Sequence, residues 1–240
     1  MSDAAQVPEG TAGRLRLSKS NALTDLALVM PMFLGYHLGV VLLKVRNAAD
    51  MVTAELTALA ESHIGLYWAI TLAIGGGMAT VLWILGRGDT FDRRRFFYIA
   101  LEGVLYAFLM RAAAFYVVGQ LPLASGGVDG RVAGFIMSMG AGLYEEIVFR
   151  VALFGLGALA IRAIFGGIPK WLFTAGWAVV AACVFSGWHY VGALGDPWNT
   201  KTFVFRATCG LFLTVIYVFR GFAPAVWTHT LYDLWAMVLH

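Results

Sequence analysis

Long apolar stretches alternate with short polar joints along almost the whole chain. The apolar runs cover residues 23–43, 64–85, 96–118, 132–165, 171–194, 202–219 and 223–239. The joints between them are 44–63, 86–95, 119–131, 166–170, 195–201 and 220–222. A helical crossing of a bilayer takes about 20 apolar residues, and a helix satisfies its own backbone where water is absent. The pattern therefore predicts an all-α, polytopic membrane helix bundle of about seven transmembrane helices. Residues 1–22 form a polar N-terminal tail carrying Arg14, Arg16 and Lys19, and 23–240 read as a single transmembrane domain. The first run starts late and outlasts a signal-peptide core, with no small-residue cleavage site after it, so it reads as a retained span.

Composition sharpens this picture. Of the 240 residues 60% are hydrophobic and 13% charged, against about half and a quarter in soluble domains. The mean hydropathy is +0.76. A soluble core of this size cannot hide so much apolar surface, so the lipid bilayer is the expected solvent for much of it. The formal charge of +3 is spread through the joints and gives no nucleic-acid signal. Cys183 and Cys209 both lie in apolar runs outside any CxxC pair and read as small packing residues.

The basic residues orient the bundle. Arg87, Arg93, Arg94 and Arg95 crowd one joint, Arg162 and Lys170 flank another, and Arg220 marks a third. Placing these on the cytoplasmic side puts the N-terminus there too, while Lys44, Arg46, Arg131 and Lys201 are diluted along the opposite joints. Gly75–Gly77, Ser138 with Gly142, and Gly155 with Gly157 allow close helix approach. The fourth run spans about 50 Å at 1.5 Å per residue, longer than the hydrocarbon core. It has to tilt, break or project.

Charged residues inside these runs are the candidates for chemistry, because each costs at least about 2.5–3.5 kcal/mol on insertion scales. Glu145 and Glu146 sit in the middle of the fourth run, with Arg150 after them. Glu146 and Arg150 are i, i+4 neighbours able to form an ion pair, whereas Glu145 points about 100° away. That geometry makes Glu146 structural and leaves Glu145 for chemistry; a single buried clasp of all three is the alternative. His189, near the end of the fifth run, reads alone as a wet interfacial side chain. His229 and Asp233 share one helix face at i, i+4, as a helix–helix hydrogen bond or a functional pair. Taken together, the three helices carry acids and imidazoles inside lipid, the parts needed to activate water. A carboxylate stripped of water is a better base, and a neighbouring histidine can share the proton.

The three motifs Glu145-Glu146-x-x-x-Arg150, Phe185-x-x-x-His189 and His229-x-x-x-Asp233, in this order, resemble those of the CAAX-processing and bacteriocin-immunity (CPBP) intramembrane proteases. The resemblance covers 132–240 and leaves the first three spans out. It implies an intramembrane endopeptidase of glutamic type acting on a membrane-anchored peptide or protein tail. It further implies that Glu145 activates water with His189 and that His229 and position 233 stabilise the oxyanion. Glu146 and Arg150 would support them. Position 233 is Asp where many relatives have Asn, and an ionised Asp cannot donate to an oxyanion; it would be protonated or would orient His229. The sequence ends seven residues after Asp233, so the resemblance does not reach a further C-terminal helix that some relatives carry.

No cofactor is required on this reading. A zinc alternative would use Glu145, His189 and His229 as ligands with an open position for water, although no HExxH is present. A non-enzymatic binding or immunity protein keeping the polar cluster is the rival from another class. A transporter would show an inverted repeat and paired broken helices, and neither is seen. Glu102 and Arg111 read as inter-helix contacts, His37 as a hydrogen-bonding residue inside the first span, and Trp188, Trp198 and Trp227 as an interfacial belt. Helix rise leaves one conflict: from the same side, Glu145 and His189 lie about 25 Å up and His229 only about 10 Å. A turn at Arg220–Pro224 recessed into the membrane would resolve it, with Arg220 facing the cavity to meet a substrate carboxylate.

Overall fold

A computed structural model describes residues 21–43, 51–119, 130–192 and 195–238. The tail with Arg14, Arg16 and Lys19, and the joint residues Lys44 and Arg46, lie outside the described residues. Among the latter the regular elements are all helices, with α1 (Ala22–Leu43), α2 (Met51–Ser62), α3 (Ile64–Leu85), α4 (Arg93–Val118) and α5 (Arg131–Glu145). A π-helical segment (Glu146–Leu156) follows, then α6 (Gly157–Ile164), α7 (Gly167–Trp188), α8 (Thr200–Arg220) and α9 (Phe222–Val238). The last four apolar runs thus become one long rod, a hairpin partner and two further helices.

The bundle is inside-out relative to a soluble protein. Leu72, Leu85, Phe97, Leu101, Ile168 and Leu172 are exposed, while Asp25, His37, Arg95, Glu146, Arg150 and His229 are buried. Water would reverse that distribution, and lipid produces it. Among the described residues six helices are long and apolar enough to cross a membrane: Ala22–Leu43, Ile64–Leu85, Arg93–Val118, Arg131–Ile164, Gly167–Trp188 and Thr200–Arg220. The chain is an integral, multi-pass membrane protein. The seventh run differs from the others. α9 has 17 residues, and Ala223, Pro224, Ala225, Val226, Thr228, His229 and Thr230 are all buried, so its first half is enclosed by protein.

Local chemistry explains where the helices start and stop. α4 begins at Arg93, three residues before the apolar run, because Asp92 accepts a hydrogen bond from the Arg95 amide at 3.1 Å. Asn199 caps α8 in the same way, accepting from Lys201 at 2.9 Å and Thr202 at 3.1 Å. α7 starts earlier than its apolar run, with Pro169 in the first turn where a missing N–H costs nothing. It ends six residues early at Trp188: the His189, Tyr190 and Val191 amides bond to Ser186, Gly187 and Trp188, three residues back. Gly192, Gly195 and Pro197 then forbid any return to helix. α2 was hidden in the joint 44–63, where Val52, Leu56, Leu59 and Ala60 repeat at helical spacing among polar residues. Leu56 is buried in the core made by α1, α3 and α5.

Small residues set the helix contacts. A Cβ on Gly142 would fall on Thr230 of α9, and one on Gly134 would meet Met237 and Val238, so α5 and α9 run antiparallel in close contact. Gly39 and Gly35 of α1 face Ile136 and Met139. Gly75 accepts the ring of Phe33, whereas Gly76 and Gly77 face nothing within 4 Å. A Gly142→Val protein is therefore expected to lose about 1–3 kcal/mol by overpacking, and Gly77→Ala to gain up to about 1 kcal/mol from helix propensity. Thermal unfolding in detergent of the two variants checks this; equal midpoints would contradict the α5–α9 register.

That register also resolves the depth conflict. Extending it places Phe222 opposite Arg150, so about 20 Å of the rod, down to Ile164, continues beyond the start of α9. α7 runs along this extension, with Trp177 against Gly157 and Trp188 6.0 Å from Phe149 at the upper end. The helices are thus staggered along the rod: α1 and α9 flank its upper half, while α7 flanks its lower half. Glu145 to Arg150 lie at the step between them. The turn between α8 and α9 is a single residue, Gly221, at φ 101°, a conformation open to glycine. It is set back also from Arg93 at the basic start of α4, because Arg220 reaches Glu102, nine residues and up to about 14 Å along that helix. Arg220 already has a partner within the bundle. Its guanidinium is held by both carboxylate oxygens of Glu102, at 2.6 and 2.8 Å.

Candidate active site

The site forms where the rod, the end of α7 and the first half of α9 meet. His229 is its hub. Its Nδ1 lies 2.7 Å from Oε1 of Glu146. Its Nε2 lies 3.4 Å from Asp233 and 3.8 Å from Glu145. One imidazole therefore gathers three carboxylates, and each ring nitrogen faces a different set. The i, i+4 pair also forms, with Arg150 Nη1 at 3.1 Å from the same Oε1 of Glu146.

The helix geometry differs from a plain α-helix in one respect. The rod changes to π-helical winding at Glu146, between the two acids. A π turn is wider and often marks a functional segment. Here both acids reach His229, so Glu145 is not turned about 100° away onto a separate surface as α-helical spacing predicts. Two long side chains converge on one ring from adjacent positions because the ring sits between them, on a neighbouring helix that Gly142 allows to come close.

Arg150 is fully enclosed. It donates from Nη2 to the Gly210 carbonyl of α8 at 3.3 Å, and its guanidinium stands 4.3 Å over the Phe185 ring. A buried arginine with a carboxylate on one side and an aromatic face on another is well desolvated and strongly held. Glu146 is thereby fixed between a permanent cation and an imidazole.

Phe185 links the second motif to the third. Its ring centroid is 5.2 Å from that of His189 and 5.9 Å from that of His229. His189 lies just past the end of α7, half-buried, with Nδ1 3.0 Å from the Phe185 carbonyl. A carbonyl only accepts, so Nδ1 carries the proton and Nε2 presents a lone pair. Glu145, Glu146, Arg150, His229 and Asp233 thus meet at one locus, and His189 adjoins it across the Phe185 ring. Arg111 does not join them; its guanidinium stands 5.0 Å over Trp235. The Trp227 indole N–H donates to the Leu28 carbonyl at 3.3 Å and joins α9 to α1.

One charged pair at the site escaped the sequence reading. Arg206 of α8 binds Asp196 at 2.5 Å, and the Asp196 amide donates to the His189 carbonyl at 2.9 Å. The available signal was an arginine alone in the interior of an apolar run, 202–219, which is costly in lipid unless it has a task.

These features define a membrane-embedded helical protein with a buried acid–imidazole centre. Residues 128–235 match the family model described as Type II CAAX prenyl endopeptidase Rce1-like. The matched segment contains all three motifs, and the family resemblance they carry stands. The family described by that model is one of endopeptidases. Comparison with curated proteins and with solved structures gave no match.

Proposed function

We propose that the protein is an intramembrane endopeptidase that cuts a membrane-anchored peptide or protein tail with water activated by Glu145 and His189. The observation that carries this reading is the convergence on His229, where Glu146 is locked by Arg150 while Glu145 stands 3.8 Å from Nε2. The two adjacent acids have different partners and therefore different work. Glu145 takes a proton from water, with the Nε2 lone pair of His189 as a second acceptor, and the resulting hydroxide attacks the peptide carbonyl. The carbonyl oxygen becomes an oxyanion stabilised by His229, which donates from Nε2 when its ring carries both protons. The proton held by Glu145 then passes to the leaving amine as the C–N bond breaks. Asp233, at 3.4 Å from the same Nε2, supports the orienting role better than the donor role, because a carboxylate beside an N–H accepts from it.

No group of three His, Cys, Asp or Glu side chains among the described residues is disposed to hold a metal ion. Glu146 occupies Nδ1 of His229, so a zinc ion on Glu145, His189 and His229 would have to approach Nε2, where Asp233 also lies. The reaction we propose uses no metal. Activity of the purified protein on a membrane-anchored fluorogenic peptide is expected to survive chelation and dialysis unchanged. Loss of activity on chelation, restored by zinc, would refute the metal-free reading. By the basic residues at Arg87, Arg93–Arg95, Arg162, Lys170 and Arg220, we further propose that these joints and the N-terminus face the cytoplasm.

A further inference from the structure

One buried histidine takes no part in the proposed chemistry. His37 of α1 is 1% exposed, and its ring meets a hydroxyl on each side. Nδ1 lies 2.6 Å from the Tyr67 hydroxyl of α3, and Nε2 lies 2.5 Å from the Tyr144 hydroxyl of α5. Thr71, one turn further along α3, brings its hydroxyl to 3.5 Å from Nδ1. Tyr67, Thr71 and Tyr144 are buried as well. An imidazole between two phenols satisfies both of its nitrogens, because each hydroxyl donates or accepts as the ring requires. Such bonds across helices tie a membrane bundle together. The place of this one on the rod gives it a further task.

Tyr144 directly precedes Glu145, and the π-helical winding begins one residue later, at Glu146. Tyr144 and Gly140 share a helix face at i, i+4, and both meet α1. A Cβ on Gly140 would fall on the Tyr36 ring, and the Tyr36 and Tyr144 rings stand 5.8 Å apart, edge to face. Glu146 lies about 200° round the rod from Tyr144 and is met from α9 by His229 at 2.7 Å. Two imidazoles thus grip the rod from different sides, His37 in the last α turn and His229 at the first π residue. A π turn is a rare winding that persists where its neighbours hold it. Glu145 lies between the two grips, so its setting follows from both.

We propose that His37 is a positioning residue for Glu145: through Tyr144 it fixes the rotation of the rod where the winding changes, and with it the aim of the carboxylate. The inference rests on the peptidase reading and deepens it with a residue outside the segment 128–235 that matches the family model. The first span thereby governs a site it does not enter. Releasing Tyr144 lets the last α turn rotate, and a displacement of about 1 Å at a reacting group costs about 10²-fold in rate. The two nitrogens of His37 do different work. Nε2 holds the rod, whereas Nδ1 ties the ring to α3. The Phe33 and Tyr36 rings, 4.5 and 5.1 Å from that of His37, keep the imidazole in place when the Tyr67 bond is lost.

The test separates those two nitrogens in the full chain in detergent. His37→Gln puts an amide where Nε2 stands and keeps a partner for Tyr144, whereas His37→Asn puts it at Nδ1 and keeps a partner for Tyr67. Tyr144→Phe and Tyr67→Phe remove the two hydroxyls in turn. On a membrane-anchored fluorogenic peptide, Tyr144→Phe and His37→Asn are expected to lower kcat about 10–100-fold, with KM within about twofold. Tyr67→Phe and His37→Gln should stay within about threefold of the parent kcat, although each loses a buried bond and some thermal stability. A second readout needs no turnover. In protein carrying isotope-labelled histidine, the His229 ring resonances should shift in Tyr144→Phe and hold still in Tyr67→Phe. An unaltered kcat in Tyr144→Phe overturns the proposal. So does a kcat that falls in step with the unfolding midpoint across all four variants, which would make the network an interhelical tie alone. His229 resonances indifferent to Tyr144→Phe refute it too. Failure of the peptidase reading shows separately, as no hydrolysis by the unsubstituted protein, and the resonances then decide the positioning role by themselves.

Discussion

If Glu145 is the general base, replacing it by Gln is expected to lower hydrolysis of a membrane-anchored peptide by about 10²–10⁴-fold. The amide keeps the size of the carboxylate and its place 3.8 Å from His229, but it cannot accept the proton of water. Binding of the peptide should change little, because in the proposed reaction Glu145 acts on the water and not on the anchor of the substrate. The comparison also separates a peptidase from a binding protein. In a binding protein Glu145→Gln would alter complex formation and there would be no turnover to lose. A Glu145→Gln protein that hydrolyses at the unaltered rate removes Glu145 from the role of base.

The largest effect on stability is expected at Arg150. Truncation to Ala leaves Glu146 buried beside His229 without its cation, and breaking a buried pair from one side costs about 3–5 kcal/mol. It also empties the space over Phe185 and leaves the Gly210 carbonyl without the donor it has at 3.3 Å. The unfolding midpoint in detergent is the readout. A double variant, Glu146→Gln with Arg150→Met, removes both charges together and should recover most of the loss, since the buried pair is then replaced rather than broken. Its activity should stay low, because His229 no longer has an anion on Nδ1 to set its protonation. Equal stability of the single and double variants would contradict the ion-pair account.

Much of the bundle was legible because lipid imposes a simple rule on sequence. Runs such as 64–85 and 96–118 had no alternative to crossing helices; the starts of α4 and α8 moved by a few residues where Asp92 and Asn199 supplied a cap, and α7 shifted at both ends. α2 was not legible, since twelve residues of mixed polarity resemble a loop until Leu56 is seen inside the core. The polar cluster was partly legible, for the cost of a charge in lipid marks Glu145, Glu146, Arg150 and Asp233, while the Arg206–Asp196 pair escaped. Its internal arrangement was not. Helical spacing alone pairs Glu146 with Arg150, and that pair forms. Spacing could not reveal that the winding changes at Glu146, or that His229 would divide its two nitrogens among three acids. Arg220 shows the same limit from the other direction: its charge signalled a task, but its partner, Glu102, lies 118 residues away in sequence.

The change of winding at Glu146 has a consequence for how this protein can vary. A π turn holds one residue more than the α turn it replaces, so it works as a phase shifter in the rod. Upstream of it, the angular setting of Gly134 and Gly142 is fixed by α9; downstream, that of Gly157 is fixed by Trp177 of α7. Removing a single residue such as Val151 would let the segment relax to ordinary α pitch and rotate one half of the rod by about 100° against the other. Either the acids would leave His229 or α6 would turn its small face away from α7. Between Glu146 and Leu156 the chain therefore tolerates exchange of side chains far better than any change in their number.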